Sequence, residues 1–485
     1  MKKLLLTLSI LFLTFGITAC ETVENVFSDF VESIPGEIAE DLVLETSLNQ
    51  QVVTYHYQGE LLEGILPYPY FNKDTLITLQ VSYKDLTVDK TILVKKSPII
   101  HDLYITTLDG NDITSKEDYV AGFVSVEGSE PFNLSNQSMQ IRGRGNSSWE
   151  YPKKPYKIKF DSRTSLLGMA KAKDYVLLAE YNDKSLIRNY MAHFMTGFLD
   201  TGHQLETRFV NLYLNGSYRG VYLLTEQIEV DKNRLNIDES DLASGGFLIE
   251  LETEDRMWKE GIENYNWFTV DNRYFLVKSP DVEDYPEAIV TSKITYMKTY
   301  LNDFLASIET DTYDTYIDTD NFIDYFILAE FFKQVDIGYS SVFAFKDVDQ
   351  KLMMGPSWDF DISSGNGDYY DYTYQNYWVD YNPWFYKLIQ KDSFEARFIA
   401  RFNDIMNNHF DAFIAEIDYV SGQLYPHAIR NFEKWDILGI YVWPNPQEMV
   451  EANTYSKQIS YLKTYLTMRK DWLQNELNDQ GYYLD

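Results

Sequence analysis

The sequence contains one cysteine, Cys20, among 485 residues. A single cysteine cannot form an internal disulfide, and it cannot supply a cluster of thiolate metal ligands. The six histidines form neither an H-E-x-x-H motif nor a close pair, so the sequence does not support a zinc site. A G-x-S-x-G motif is also absent, which leaves a hydrolytic triad without a candidate nucleophile.

Basic residues are scarce as well. The chain has 42 lysine and arginine residues against 74 aspartate and glutamate residues, and its formal net charge is −32. Because a nucleic-acid binder needs a broad cationic face to displace phosphate counterions, nucleic acid is excluded as a main ligand. Hydrophobic residues make up 45% of the chain and aromatic residues 16%, so the acidity does not indicate a disordered protein.

Long hydrophobic runs are confined to the N-terminus. Two lysines precede an apolar run over residues 4–17, a pattern typical of an export signal. The run ends at Ile17-Thr18-Ala19-Cys20, which resembles a bacterial lipoprotein box whose cysteine thiol is diacylated. We therefore expect a signal peptide over residues 1–19 and an extracytoplasmic protein anchored through Cys20 to the outer face of the cell membrane. The alternative is an ordinary secretory signal with an incidental cysteine.

The rest of the chain is predicted to contain a tether and two folded parts. Residues 20–40 are acidic with scattered apolar residues, and we interpret them as a tether with one short helix around 23–31. Residues 41–98 contain alternating segments such as QVVTYHYQ, TLITLQVSY and VDKTILVKK, which predict a small immunoglobulin-like β-sandwich that serves as a spacer or adhesion module. Residues 99–480 form the main domain.

Within the main domain, strand patterns come first and helical patterns follow. The predicted strands are HDLYITTL, QSMQIRGRG, KPYKIKF, DYVLLAEY, RFVNLYLNG, YRGVYLLTEQI and GGFLIELE. Asn215-Gly216 predicts a tight hairpin turn. Beyond about residue 285 apolar residues recur at helical spacing, which predicts helices near 290–305, at 321–333 and over 459–477. The predicted fold class is α+β, with a ligand cleft between the strand-rich and helical halves.

A basic stretch that contains two glycines, IRGRGNSSWEYPKKPYKIKF, occupies residues 141–160. A loop of this composition is a good anion cradle, because glycine lets backbone amides approach a ligand closely. The candidate loop residues are Arg142, Gly143, Arg144, Gly145, Asn146 and Ser147. On the next strand Lys157 and Lys159 share one face, and a phosphate between them would offset their repulsion. The alternative is a glycine turn followed by a solvated lysine face.

A second group of candidate residues lies between 333 and 366. Asp336 follows a predicted buried helix, and Asp359 and Asp361 share one face of an extended segment. Carboxylate oxygens suit magnesium, which keeps water and phosphate oxygens in its coordination shell. The order resembles that of protein kinases, where an aspartate acts as base, an asparagine five residues later binds a second metal ion, and Asp-Phe-Gly binds magnesium. Ser341 stands at the asparagine position. The alternative is a pair of acidic caps on ordinary turns.

These motifs together resemble the spore-coat CotH kinase family. The resemblance rests on RGRGNSSWEYPKKPYKIKFD, LLAEYNDKSLIRNYMA, YLNGSYRGVYLLTEQI, GGFLIELE, VDIGYSSVFAFKD and MGPSWDFDISSGN, in that order, and it covers roughly residues 100–475. It implies an atypical, secreted protein-kinase-like fold with two lobes. It also implies that the protein binds ATP and magnesium and phosphorylates serine in coat or surface proteins.

The resemblance assigns roles to individual residues. Residues 142–148 would form the phosphate loop, and Lys157 or Lys159 would pair with the phosphates. Asp336 would be the acidic residue of the catalytic loop, which orients the acceptor hydroxyl, and Asp359 would bind magnesium. Asp361 and Ser341 are further metal candidates. The segment 224–228, with Glu226 and Gln227, would link the lobes and meet the adenine.

Two other segments have two interpretations each. Arg188 and Asn189 are predicted on a helix after a capping Asp183, where they either pair with a strand lysine or form a surface ion pair. The aromatic segment 368–386 is either a substrate platform or a set of rings packed on one another. The rival functions are a catalytically weak or inactive adhesion or scaffold protein on the same fold, another ATP-dependent transferase, and a carbohydrate-binding surface protein.

Overall fold

The computed structural model describes residues 22–38, 42–57, 59–66, 74–95, 100–127, 132–241, 244–259, 266–281 and 285–482. The predicted signal peptide and Cys20 lie outside these residues. The chain divides into two compact units, Met1–Ser97 and Pro98–Asp485.

The first unit is rich in strands. Its elements are helix α1 (Val23–Ser33) and strands β1 (Glu37–Ile38), β2 (Leu42–Val43), β3 (Ser47–Leu48), β4 (Gln51–Tyr57), β5 (Glu60–Leu61), β6 (Ile65–Leu66), β7 (Thr75–Tyr83) and β8 (Leu86–Val94). A sheet of order β1-β8-β7-β4-β3 carries β5 on β4, and β2 pairs with β6. The three strands predicted from alternation are confirmed as β4, β7 and β8.

The acidic segment predicted as a tether is folded over its described part. The short helix is confirmed as α1, and its apolar residues Phe27 and Val31 are buried in the core of the first unit. Phe27 stacks on Tyr83 at 5.6 Å between ring centroids. The tether interpretation is therefore wrong for residues 22–38, because the spacing of four between Phe27 and Val31 gives the helix an apolar face that the sheet covers.

The second unit begins with a closed barrel. Its strands are β9 (His101–Thr107), β10 (Val120–Val126), β11 (Leu134–Gly143), β12 (Tyr156–Thr164), β13 (Ala172–Leu178), β14 (Thr207–Leu214) and β15 (Ser217–Glu226), in the order β10-β11-β12-β13-β15-β14-β9. The Asn215-Gly216 hairpin between β14 and β15 is confirmed, with φ of 50° and 74° at the two turn residues. Strand β10, which pairs with both β9 and β11, was not predicted from the sequence.

A second, antiparallel sheet and the remaining helices complete this unit. The strands are β16 (Phe247–Glu252), β17 (Trp267–Val270), β18 (Arg273–Ser279), β19 (Val342–Lys346) and β20 (Met353–Met354). The helices are α2 (Ser147–Glu150), α3 (Arg188–Met195), α4 (Glu254–Lys259), α5 (Glu287–Glu309), α6 (Thr319–Phe332), α7 (Pro383–Leu388), α8 (Asp392–Lys434), α9 (Gln447–Glu451) and α10 (Tyr455–Gln480). The mixed content agrees with the predicted α+β class.

Helical periodicity was a good guide to three of these helices. The predictions near 290–305, at 321–333 and over 459–477 correspond to α5, α6 and α10. The N-cap of α6 is Asp318, whose side chain accepts a hydrogen bond from Asn321 N at 3.1 Å. Helix α8, which spans 43 residues and packs on α6 and α10, was not predicted from the sequence. Among the described residues, none of the helices is long and apolar enough to cross a membrane.

Candidate active site

A cleft of about 380 Å³ opens on one side of the second unit. Its walls come from the turn after β11, the end of β15, the second sheet, and the segments that follow α6 and β20. The lining residues are Arg144, Gly145, Asn146, Ser147, Ser148, Gln227, Ile228, Glu250, Arg256, Lys278, Asp336, Ser340, Ser341, Phe343, Trp358, Asp359, Asp361, Ile362, Tyr369 and Trp443. The cleft thus brings together residues from both predicted motifs.

The basic loop enters the cleft through its second half. Gly145 has φ of +85°, and a β-carbon there would overlap the hydroxyl of Ser148, so the turn requires glycine. The guanidinium of Arg144 lies over the ring of Trp358, 5.2 Å from its centroid. Burial lowers the pKa of Arg144, while the carboxylates of Asp359 and Glu250 oppose that shift. The loop therefore presents a cation and a tight backbone turn to the cleft.

Three aspartates face the loop. Burial raises the pKa of Asp336 to about 7, the charge of Asp359 adds to this shift, and Arg256 opposes it. Burial followed by the charge of Asp359 also raises the pKa of Asp361. Since like charges that share a site disfavour ionisation, the three carboxylates repel one another. A cation among them would relieve that repulsion.

Two of the cleft residues hold an unusual backbone conformation. Asp359 has φ of +66° and Ser341 has φ of +58°, although neither is glycine. Non-glycine residues in the left-handed region cost free energy and cluster at functional sites, where the surroundings hold them in place.

The carboxylates of the cleft fit magnesium when water and phosphate complete the coordination shell of the ion. Among the described residues, no group of three histidine, cysteine, aspartate or glutamate side chains is arranged to hold a metal ion. Magnesium, however, needs only one or two protein carboxylates when water and substrate phosphates complete its octahedral shell. Asp359 and Asp361 supply hard oxygen donors of this kind beside Arg144. The residues therefore suit a magnesium ion that arrives with a phosphate ligand.

Several cleft residues were missed by the sequence analysis. Arg256 on α4 forms an ion pair with Glu252 at 2.7 Å, and Lys278 on β18 pairs with Glu250 at 3.0 Å. These residues belong to no motif, and only the position of the second sheet brings them to the cleft. The predicted strand GGFLIELE supplies Glu250 and Glu252, and these acidic residues were the one local indication that basic partners lie nearby.

Four of the predicted phosphate-contacting residues lie outside the cleft lining. Arg142 donates a hydrogen bond to the carbonyl of Lys116 and lies over the ring of Tyr119, and Gly143 packs against Trp149. On β12 the alternation is as predicted, with Tyr156, Ile158 and Phe160 buried inside the barrel. On the outer face, Lys157 forms an ion pair with Asp174 at 2.9 Å, and Lys159 lies near Tyr119.

The segment predicted to link the lobes is divided between two roles. Gln227 lines the cleft, and its amide donates a hydrogen bond to the carbonyl of Ile228 at 3.1 Å. The preceding Glu226 is 1% exposed and points away, where its carboxylate contacts His203 at 2.6 Å and pairs with Arg234. Glu226 thus lies in a buried polar cluster rather than on the cleft surface.

Both interpretations of Arg188 and Asn189 are wrong. Arg188 is fully buried and pairs with Asp183 on its own chain segment, so it forms neither a surface ion pair nor a contact with a strand lysine. Its guanidinium also donates to the carbonyl of Ser363 at 3.1 Å. The side chain of Asn189 accepts a hydrogen bond from the backbone N–H of Phe360, which lies between Asp359 and Asp361 in the chain.

The aromatic segment is mostly packed on itself and on the core. Trp378 and Trp384 are buried in the helical core. Tyr369 differs, because it lines the cleft and stacks on Trp443 at 5.4 Å with an interplanar angle of 13°. Trp443 follows α8 and was not singled out by the sequence analysis.

The chain was compared with known protein families. Residues 141–473 match the family model described as CotH kinase protein. No curated protein matches the chain. The matched region contains the basic loop, the Asp336 turn and the Asp359–Asp361 segment, and it covers more than half of the chain. The protein therefore belongs to the CotH kinase family.

Proposed function

We propose that the second unit is an ATP- and magnesium-dependent protein kinase of the CotH type. It transfers the terminal phosphoryl group of ATP to serine, threonine or tyrosine hydroxyls of surface or coat proteins. The barrel and the helical part with its sheet correspond to the two lobes of a kinase-like fold. The observation that carries this proposal is the cleft in which Arg144 and the Gly145 turn face three aspartates.

The phosphate-binding part of the cleft is the turn after β11. Backbone amides at residues 145–148 and the guanidinium of Arg144 bind the ATP phosphates, and Asp359 and Asp361 hold magnesium. A magnesium ion held there by Asp359 and Asp361 would supply positive charge that offsets the negative charge developing during transfer. Gln227 and Ile228 directly follow β15 and line the cleft. Their backbone groups meet the adenine.

Asp336 is the group that handles the acceptor proton. Its pKa of about 7 leaves a substantial ionised fraction at neutral pH, which suits a general base. The acceptor oxygen attacks the terminal phosphorus, the bond to the ADP oxygen breaks, and the acceptor proton passes to the Asp336 carboxylate. Arg256 lies beside Asp336, where its charge favours the ionised carboxylate and offsets negative charge in the transition state.

A second candidate function is ATP binding without efficient transfer, as in a scaffold or adhesion protein. It is favoured by Ser341, which lines the cleft where the kinase pattern has asparagine. A hydroxyl is a single weak ligand for a second metal ion, so binding would survive and turnover would fall.

The location of the protein is also a proposal. Diacylation of Cys20 would hold both units at the outer face of the cell membrane, because two acyl chains anchor stably where one is marginal. Palmitate labelling of the intact cell, compared between the natural chain and Cys20→Ser, tests the anchor. Label that persists in the variant would contradict it.

Thermal unfolding of the full chain tests ATP binding. ATP with magnesium must raise the melting temperature if both bind the folded state, and Asp359→Ala should abolish the rise. Asp336→Asn should keep the rise and lose phosphoryl transfer to added acceptor proteins. No rise at millimolar ATP would overturn the kinase proposal, and a rise without transfer in the natural chain would favour the scaffold.

A further inference from the structure

The side chain of Asn189 contacts the backbone of the Asp359–Asp361 segment. Its Oδ1 accepts a hydrogen bond from Phe360 N at 2.7 Å, and its Nδ2 donates to Glu180 Oε1 at 3.0 Å. Asn189 is 3% exposed and Glu180 is 6% exposed, so water does not compete for these bonds. The two bonds define the orientation of the amide, with its oxygen toward Phe360 and its nitrogen toward Glu180.

Phe360 is the residue that joins the two metal-binding candidates. Its ring is 1% exposed and contacts the ring of Phe332 at 5.6 Å between centroids. Its carbonyl accepts a hydrogen bond from Ser363 Oγ at 2.6 Å. With Asn189 on its N–H group, Phe360 is held at three points, so the backbone of Asp359 and Asp361 on either side has little freedom.

The hydrogen bond to Asn189 falls where the backbone needs support. Asp359 has φ of +66°, a conformation that persists when neighbouring contacts determine it. The Phe360 N–H group belongs to the peptide unit that directly follows the Asp359 α-carbon. Asn189 therefore holds the peptide whose orientation decides where the Asp359 carboxylate points.

We propose that Asn189 is a positioning residue for magnesium binding, which it serves by holding the Phe360 peptide so that Asp359 and Asp361 face the cleft. Glu180 acts through Asn189, since it fixes which end of the amide meets Phe360. This inference rests on the proposed function. It adds a role for α3, whose sequence motif the kinase pattern leaves without a function.

The first test compares Asn189→Leu with the natural chain. Leucine keeps the branched skeleton of asparagine, with two larger methyl groups in place of the amide oxygen and nitrogen, but it cannot accept the Phe360 N–H bond. The readout is the magnesium concentration that gives half of the ATP-induced rise in melting temperature, measured on the full chain. Loss of a contact that orients a metal ligand typically lowers metal affinity about 10- to 100-fold, and we expect an increase of that size in the magnesium requirement.

Exchanging the amide and carboxyl groups between positions 189 and 180 distinguishes loss of the hydrogen bond from a general disturbance of the fold. Asn189→Asp keeps an acceptor for Phe360 N but places a carboxylate against Glu180, so the magnesium requirement should rise. Adding Glu180→Gln restores a donor and an acceptor between the two side chains with their order reversed. The double variant should return to within a few-fold of the natural chain. This rescue would not occur if Asn189 merely filled space.

Asn321→Leu is the matched control. Asn321 is fully buried on α6, and its Oδ1 accepts a hydrogen bond from Met354 N at 2.6 Å, so its loss also strands a buried backbone group. We expect a lower melting temperature with an unchanged magnesium requirement. If the natural chain shows no ATP-induced rise, the proposed function fails and takes the inference with it. If the rise is present but Asn189→Leu needs no more magnesium than Asn321→Leu, the positioning role alone is wrong.

Discussion

Replacing Arg469 with methionine tests how strongly a buried ion pair holds the helix that leads into the cleft. Arg469 on α10 and Glu330 on α6 are both fully buried and pair through Nη2 and Oε1. The same guanidinium donates to the carbonyls of Tyr374 at 2.9 Å and Asn376 at 2.7 Å. Since α6 ends four residues before Asp336, the pair supports the segment that carries the proposed base.

The size of the effect follows from what the substitution leaves behind. Without Arg469, the Glu330 carboxylate keeps hydrogen bonds from Trp378 N at 2.9 Å, Val379 N at 2.8 Å and Tyr482 Oη at 2.9 Å, but it has lost its cation. Removing one partner of a buried pair typically costs about 3 to 5 kcal/mol. The backbone carbonyls of Tyr374, Asn376 and Glu330 also lose a donor, which adds to this loss, so we expect at least about 3 kcal/mol.

Urea unfolding followed by tryptophan fluorescence measures the change. The matched variant adds Glu330→Gln to Arg469→Met, which removes the stranded charge while its amide oxygen still accepts one of the backbone N–H groups. We expect the double variant to recover at least about 1 kcal/mol relative to Arg469→Met. A loss below about 1 kcal/mol in the single variant, or a double variant that is less stable than the single one, would refute the reasoning.

Three further predictions address the loop, a buried lysine and the first unit. Gly145→Ala should weaken ATP binding about tenfold, because the residue has φ of +85° at the phosphate turn. Gly216→Ala is the control, since Gly216 has φ of +74° in open space, and it should leave the ATP-induced rise in melting temperature unchanged. Burial lowers the pKa of Lys153 to about 7 from 10.5, so the unfolded chain binds more protons between these values and stability should rise with pH across that window. Lys153→Met should remove up to about 1.4 kcal/mol per pH unit of that rise, and identical pH slopes in urea unfolding of the two chains would contradict the prediction. Phe27→Ala should destabilise the first unit by about 3 kcal/mol and leave the ATP-induced rise in melting temperature intact. Calorimetry measures both effects, and no loss of stability would mean that α1 is not part of the core.

Local chemistry explains why much of the site could be predicted. Arg144, Gly145 and Asp359 lie in short segments whose composition already indicates anion or metal binding. Period-two alternation correctly placed Ile158 inside the barrel and Lys157 outside it. Alternation does not tell which outward face meets a ligand, however, and Lys157 instead pairs with Asp174.

Residues without a motif could not be predicted. Arg256 and Lys278 reach the cleft from α4 and β18, and Trp443 reaches it from the chain after α8. Their positions depend on how the second sheet and the long helix pack against the barrel. Asn189 shows the same limit, since its contact with Phe360 joins residues 171 positions apart in sequence.

The sequence by itself determined the α+β class, the hairpin at Asn215-Gly216 and helices α5, α6 and α10, because periodicity and turn chemistry act over a few residues. Its motifs, taken in order, also indicated the CotH kinase family. Only the tertiary structure decided which lysine and arginine side chains face the three aspartates and which form contacts on the barrel strands instead. The physical reason is that charges interact over distances of a few ångströms, whatever their separation along the chain. A lysine or arginine therefore acquires its role from the partner that the fold brings to it.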